Sequence, residues 1–92
     1  MDNLTLKELR NQMDEADDAL LAALSRRMLI AEKIGLLKIQ DGKNVLDTAR
    51  EKEKIDVLRD KADDRTKPYI EKIYSVLFEI SRDLQLKLAG EK

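Results

Sequence analysis

The sequence predicts an all-α fold: three helices per chain, the first much longer than the others. Three observations carry that prediction. The composition is 42% hydrophobic and 40% charged with only 3% aromatic, a Leu-, Lys-, Glu-, Asp- and Ala-rich mixture that favours helices. Apolar residues recur at intervals of three and four, the period of one helix face. Turn chemistry is confined to a few short stretches, and there is one proline. At 92 residues the chain makes a single domain, taken as residues 1–92.

The first helix has a defined start. Thr5 and Glu8 are spaced as a capping box, and Leu4 and Leu9 as a hydrophobic staple. The stripe then runs through Leu6, Leu9, Met13, Ala16, Leu20, Ala23 and Leu24, and resumes at Ile30, Ala31, Ile34 and Leu37. It ends near Gln40, where Asp41-Gly42-Lys43-Asn44 supplies a turn. Gly35 lies inside this helix at about 1 kcal/mol against Ala, which points to close helix packing there. The second helix starts at about Asp47, an N-cap residue. It turns Ile55, Leu58 and Ala62 inward and fades at Asp63-Asp64. The third starts near Thr66, with Pro68 in its first turn, where proline is tolerated. Ile70, Ile73, Leu77, Ile80, Leu84 and Leu88 form its stripe.

These lengths do not match. A first helix of about 36 residues runs to about 54 Å, against roughly 24 Å and 35 Å for the others. One chain cannot cover both ends of the first stripe, so the expected assembly is a helical dimer with the long helices packed together.

Bulk charge excludes several functions. Eighteen basic and nineteen acidic side chains leave a net charge of −1, which is no footprint for nucleic acid. No apolar run is long enough for a membrane span. Nothing at the N-terminus reads as a secretory leader, and the absence of Cys fits a reducing compartment; the expected location is the cytoplasm. With no His and no Cys, histidine-based triads, thiol catalysis and nearly all zinc sites are ruled out. Ser25, Ser75 and Ser81 lack a nucleophile-elbow context. Gly35, Gly42 and Gly90 are too dispersed for a phosphate loop. No metal and no cofactor is expected.

The chemistry sits in polar residues where core is due. In "ALSRRMLIAEKIGLLK", residues 23–38, Arg27 takes the slot between Leu20 and Ile34. Lys38 continues the line of Leu24 and Ala31. Three turns separate the two cations, which therefore share a face about 16 Å apart. Arg26, about 100° away, faces solvent. Glu51 takes the slot one turn before Ile55, and Ser81 and Gln85 follow Leu77 on the third helix. For any one of these, snorkelling to solvent or a simple ion pair is the ordinary role, and Glu51 has Arg27 and Lys38 as partners. Together they are harder to dismiss, because burying several charged groups without good partners costs several kcal/mol each. With Arg50 at the rim, the group carries excess positive charge. It suits a small polyanion, and arginine's planar fork suits carboxylates.

These residues carry a family resemblance. "LKELRNQMDEADDALLAALSRRMLIAEKIGLLK", then "VLDTAREKEKIDVL", then "SRDLQ", resembles the all-helical AroQ-type chorismate mutases over roughly residues 4–88. Thr48 and Asn44 stand where that pattern often has prolines. The resemblance implies an intertwined homodimer of three-helix chains with two equivalent sites. It places the substrate-binding set on Arg10, Arg27, Lys38, Asp47, Arg50, Glu51, Ser81 and Gln85, with Arg10 reaching the partner subunit's site. Arg10 and Arg27 are about 25 Å apart along one helix, so an antiparallel partner helix brings them together more easily than one chain does.

The implied reaction is the pericyclic rearrangement of chorismate, a dianion, to prephenate in phenylalanine and tyrosine biosynthesis. It requires restraint and charge placement, with no nucleophile, base or metal. On this reading Lys38, Gln85, Glu51 and Arg27 are the catalytic residues. Arg10 from the partner and Arg27 clamp the carboxylates with help from Ser81. Lys38 and Gln85 donate to the ether oxygen. Glu51, with backbone near Asp47, holds the ring hydroxyl, and Arg50 tunes the field and positions Glu51. Two alternatives remain: an isochorismate-pyruvate lyase of the same fold, which typically lacks a carboxylate at the position of Glu51, and a non-catalytic helical dimerisation module.

Overall fold

The computed structural model describes residues 4–90; the remaining residues of the expected 1–92 domain lie outside the described part. Helix α1 spans Leu6–Asp41, α2 Thr48–Lys61 and α3 Ile70–Leu88. A short 3₁₀ turn, Lys67–Tyr69, leads into α3. The described residues contain no strand, so the chain is all-α with three helices, as the periodicity predicts.

The helix ends follow the local chemistry. The Thr5 hydroxyl accepts from the Glu8 N–H at 3.1 Å, and the Glu8 carboxylate accepts from the Thr5 N–H at 2.8 Å. That reciprocal pair satisfies two N–H groups that a helix start would leave unbonded. At the other end of α1, Gly42 adopts φ +67° and the Lys43 N–H reaches back to the Lys38 carbonyl at 2.8 Å. This is a left-handed helix stop, a backbone shape that favours glycine. Asp47 caps α2 by accepting from the Arg50 N–H at 3.0 Å.

One boundary differs from expectation. The third helix does not run as α from Thr66. The Tyr69 N–H bonds the Thr66 carbonyl, three residues back, so the turn around Pro68 is 3₁₀ and α3 begins at Ile70. Proline donates no N–H and fixes its own φ, which suits this tight entry turn.

Helix α3 packs along the C-terminal half of α1, and α2 packs on α3. At 19 residues, α3 is about 28 Å long, roughly half of α1. Every residue from Leu4 to Ala23 is consequently exposed; Leu6 and Met13 are each 62% exposed, and Leu20 56%. Among the described residues only Ala31, Gly35, Ile70 and Gln85 are buried. The molecule is 57 Å long. Its radius of gyration is 17.0 Å, against about 12 Å for a compact domain of this length. It exposes 7814 Å², where a folded monomer of 10.6 kDa exposes roughly 5,500 Å².

Candidate active site

The packed half of the molecule holds an open cavity of about 430 Å³, a size that suits one small ligand. Helix α1 contributes Arg27, Ile34 and Lys38 to its wall. The α1–α2 loop and first turns of α2 contribute Val45, Asp47, Arg50, Glu51 and Lys54. Helix α3 contributes Phe78, Ser81, Arg82 and Gln85. Seven of the eight residues expected at a site therefore line one pocket. The eighth, Arg10, lies in the exposed N-terminal half of α1, outside this wall.

Several of these side chains are held by specific contacts. Arg27 is half-buried, with its guanidinium 5.5 Å from the centre of the Tyr74 ring. A cation over an aromatic face is attracted by the ring's negative face. Arg26, its neighbour, is exposed. Lys38 donates from Nζ to the Val45 carbonyl at 2.9 Å. One ammonium hydrogen thus ties the loop to α1, and two remain.

Gln85 is the most buried residue of the wall, 6% exposed. Its Nε2 donates to the Ala31 carbonyl at 3.0 Å. A carbonyl only accepts, so this bond decides which end of the amide is nitrogen. The amide keeps one further N–H. Gly35 makes the approach possible: a Cβ there would lie 2.8 Å from Gln85 Cγ and 3.3 Å from its Cα. The close packing expected of Gly35 is therefore packing against this one side chain.

Two other contacts differ from expectation. The Ser81 hydroxyl donates to the Leu77 carbonyl at 3.0 Å, so its single hydrogen is used within α3 and only its lone pairs face outward. Glu51 pairs with neither Arg27 nor Lys38, and Arg50 does not hold it. Arg50 instead lies 4.0 Å from exposed Glu53. Glu51 is gripped by Arg82, whose Nη1 donates to both carboxylate oxygens at 2.7 and 2.6 Å. Arg82 follows inward Ser81 by one position, which turns it about 100° around α3. Helical spacing alone marks it as outward; only the placement of α2 brings Glu51 to it. Lys54 also joins the wall without a signal in the stripe.

The wall thus holds Arg27, Lys38, Arg50, Lys54 and Arg82 against Asp47 and Glu51. That is an excess of three positive charges in a chain of net charge −1. The pocket is electrostatically built for a small anion with more than one negative group. A protein-family model, chorismate mutase type II, matches residues 9–86. No curated protein and no solved structure matches the chain.

Proposed function

The chain belongs to the chorismate mutase type II family, and from that premise we propose how its pocket converts chorismate to prephenate. The activity is an intramolecular isomerisation that belongs to aromatic amino acid biosynthesis. The observation that carries the assignment of roles is the convergence of four free or partly free cations and a buried amide on one 430 Å³ cavity.

Chorismate brings two carboxylates, and the reaction requires its enolpyruvyl arm to fold over the ring. Arg27, steadied by Tyr74, takes one carboxylate. Its orientation before binding reduces the ordering cost of the folded substrate. Lys38 and the remaining N–H of Gln85 donate to the ether oxygen, where negative charge grows as its bond to carbon breaks. Groups already fixed by Val45 and Ala31 stabilise that charge without reorganising. Glu51 accepts from the ring hydroxyl, near Asp47. Arg50 and Lys54 add positive field at the rim. Ser81 presents lone pairs in its observed rotamer; to assist a carboxylate its hydroxyl must swing off the Leu77 carbonyl.

The second carboxylate is assigned to Arg10 of a second copy. The exposed stripe from Leu6 to Leu20 and the roughly 2,300 Å² exposed beyond the size expectation support a homodimer built on α1. Two chains together could bury up to about 4,600 Å² in this way, within the roughly 2,000–5,000 Å² total of obligate interfaces. In an antiparallel pair, the uncovered half of one α1 lies along the other chain's pocket. We assign the enzyme to the cytoplasm on its cysteine-free composition; among the described residues no helix is long and apolar enough to cross a membrane.

The test is product identity. Purified protein is incubated with chorismate and, separately, with isochorismate. Prephenate from chorismate is the expected result. Salicylate and pyruvate from isochorismate would move the assignment to the lyase, and no turnover on either compound to the dimerisation module.

A further inference from the structure

We propose that Arg82 is a positioning residue for this reaction: it fixes the Glu51 carboxylate as the acceptor for the substrate's ring hydroxyl. The proposal rests on the reading of Glu51 given above.

The contact is unlike the other ion pairs of α2. Arg50–Glu53 and Arg59–Asp56 are local to one helix at 4.0 and 3.7 Å, and Arg59–Glu71 reaches α3 at 3.6 Å, all between exposed side chains. Such pairs are worth little. Arg82 and Glu51 join two helices across the pocket wall, with side chains 30% and 23% exposed. Both hydrogen bonds are short and charge-assisted, the stronger class.

Geometry and valence give the pair its role. A carboxylate oxygen can accept about twice. Arg82 uses one acceptance on each Glu51 oxygen, so each keeps another for a hydroxyl. Without Arg82, Glu51 would face Arg27, Lys38, Arg50 and Lys54 with no fixed partner, and it would be drawn toward the cations that the dianion needs. A guanidinium is permanently charged and planar, which makes it the side chain best able to hold a carboxylate in one orientation.

The experiment compares chorismate with the analogue whose ring hydroxyl is replaced by hydrogen, in wild type, Arg82→Met, Arg82→Lys and Glu51→Gln. A lost bond to a charged group is worth about tenfold or more. Arg82→Met is therefore expected to lower kcat/KM for chorismate by about tenfold and leave the hydrogen analogue nearly unchanged. The hydroxyl sits on the ring carbon next to the breaking C–O bond, so the loss is expected in kcat as well as in KM. Arg82→Lys, which keeps the charge and disturbs packing least, recovers part of the preference for the hydroxyl compound. Equal losses on both compounds in Arg82→Met, with unequal losses in Glu51→Gln, overturn the assignment of Arg82 alone. Equal losses in Glu51→Gln overturn the reading of Glu51, and the assignment of Arg82 with it.

Discussion

Lys38 and Gln85 each serve two masters, and that decides how their variants should behave. Lys38 spends one hydrogen on the Val45 carbonyl and is assigned the ether oxygen with the others. Lys38→Ala is expected to fold and dimerise with a slight loss of stability, and to lower kcat by about a hundredfold or more, the usual loss for one charge-stabilising donor. Steady-state kinetics beside a thermal melt checks both halves; near-wild-type turnover would refute the role. Gly35 acts through Gln85. Gly35→Ala gains helix propensity but drives a Cβ to 2.8 Å from Gln85 Cγ, and such overpacking typically costs about 1–3 kcal/mol. Lower Tm together with lower kcat is the expected pair of effects, and a more stable, fully active variant would show that Gln85 moves aside freely. These residues were legible to different degrees. Arg27, Lys38, Glu51 and Gln85 stood out because each breaks an apolar stripe. Arg82 breaks no stripe, and its partner is set by how α2 lies on α3, which no single-helix pattern contains.

The element boundaries were readable where a side chain makes them. Thr5, Gly42 and Asp47 each mark a helix end by chemistry visible in the sequence. The start of α3 differs from the sequence expectation because Pro68 is compatible with both α and 3₁₀ geometry, and the Tyr69-to-Thr66 and Ile70-to-Lys67 bonds distinguish them. Ahead of that turn, Asp63 accepts from the Thr66 N–H at 2.8 Å. The Thr66 side chain, and then its backbone N–H, hold the Asp63 carboxyl below its ordinary value. A carboxyl with a depressed folded value stabilises the fold above the unfolded value and ceases to do so as pH falls through the folded one. The Tm gap between wild type and Asp63→Ala is therefore expected to be full at neutral pH and to narrow below the ordinary value of 3.8. A gap that stays constant from pH 7 to pH 3 would show that the charge contributes nothing.

At the scale of the whole molecule, the N-terminal half of α1 has no cover within the chain. Its apolar stripe runs along most of α1, yet α3 is too short to cover it, a mismatch that the helix lengths alone predict. Spacing leaves that half without a cover inside the chain, which is why a second α1 is expected there. The dimer proposal makes a quantitative prediction through complementation. Arg10→Ala and Lys38→Ala are each expected to be nearly inactive alone. Coexpressed, they form mixed dimers in which one site has Arg10 from one chain and Lys38 from the other. Random pairing puts one intact site on half of the dimers, so activity should return to about a quarter of wild type in a two-fold assembly. No recovery would place both residues in one chain's site.

The bare twenty residues from Leu4 to Ala23 also bear on how the protein is made. A newly synthesised chain can close its cavity wall early, because α3 needs only the nearer half of α1. On the dimer proposal, completion waits for an encounter with another chain. Refolding from denaturant should therefore show a fast phase independent of protein amount, followed by a slower phase whose rate rises with concentration. Enzyme activity should appear only with the second, because on the same proposal Arg10 of the partner subunit holds the substrate's second carboxylate.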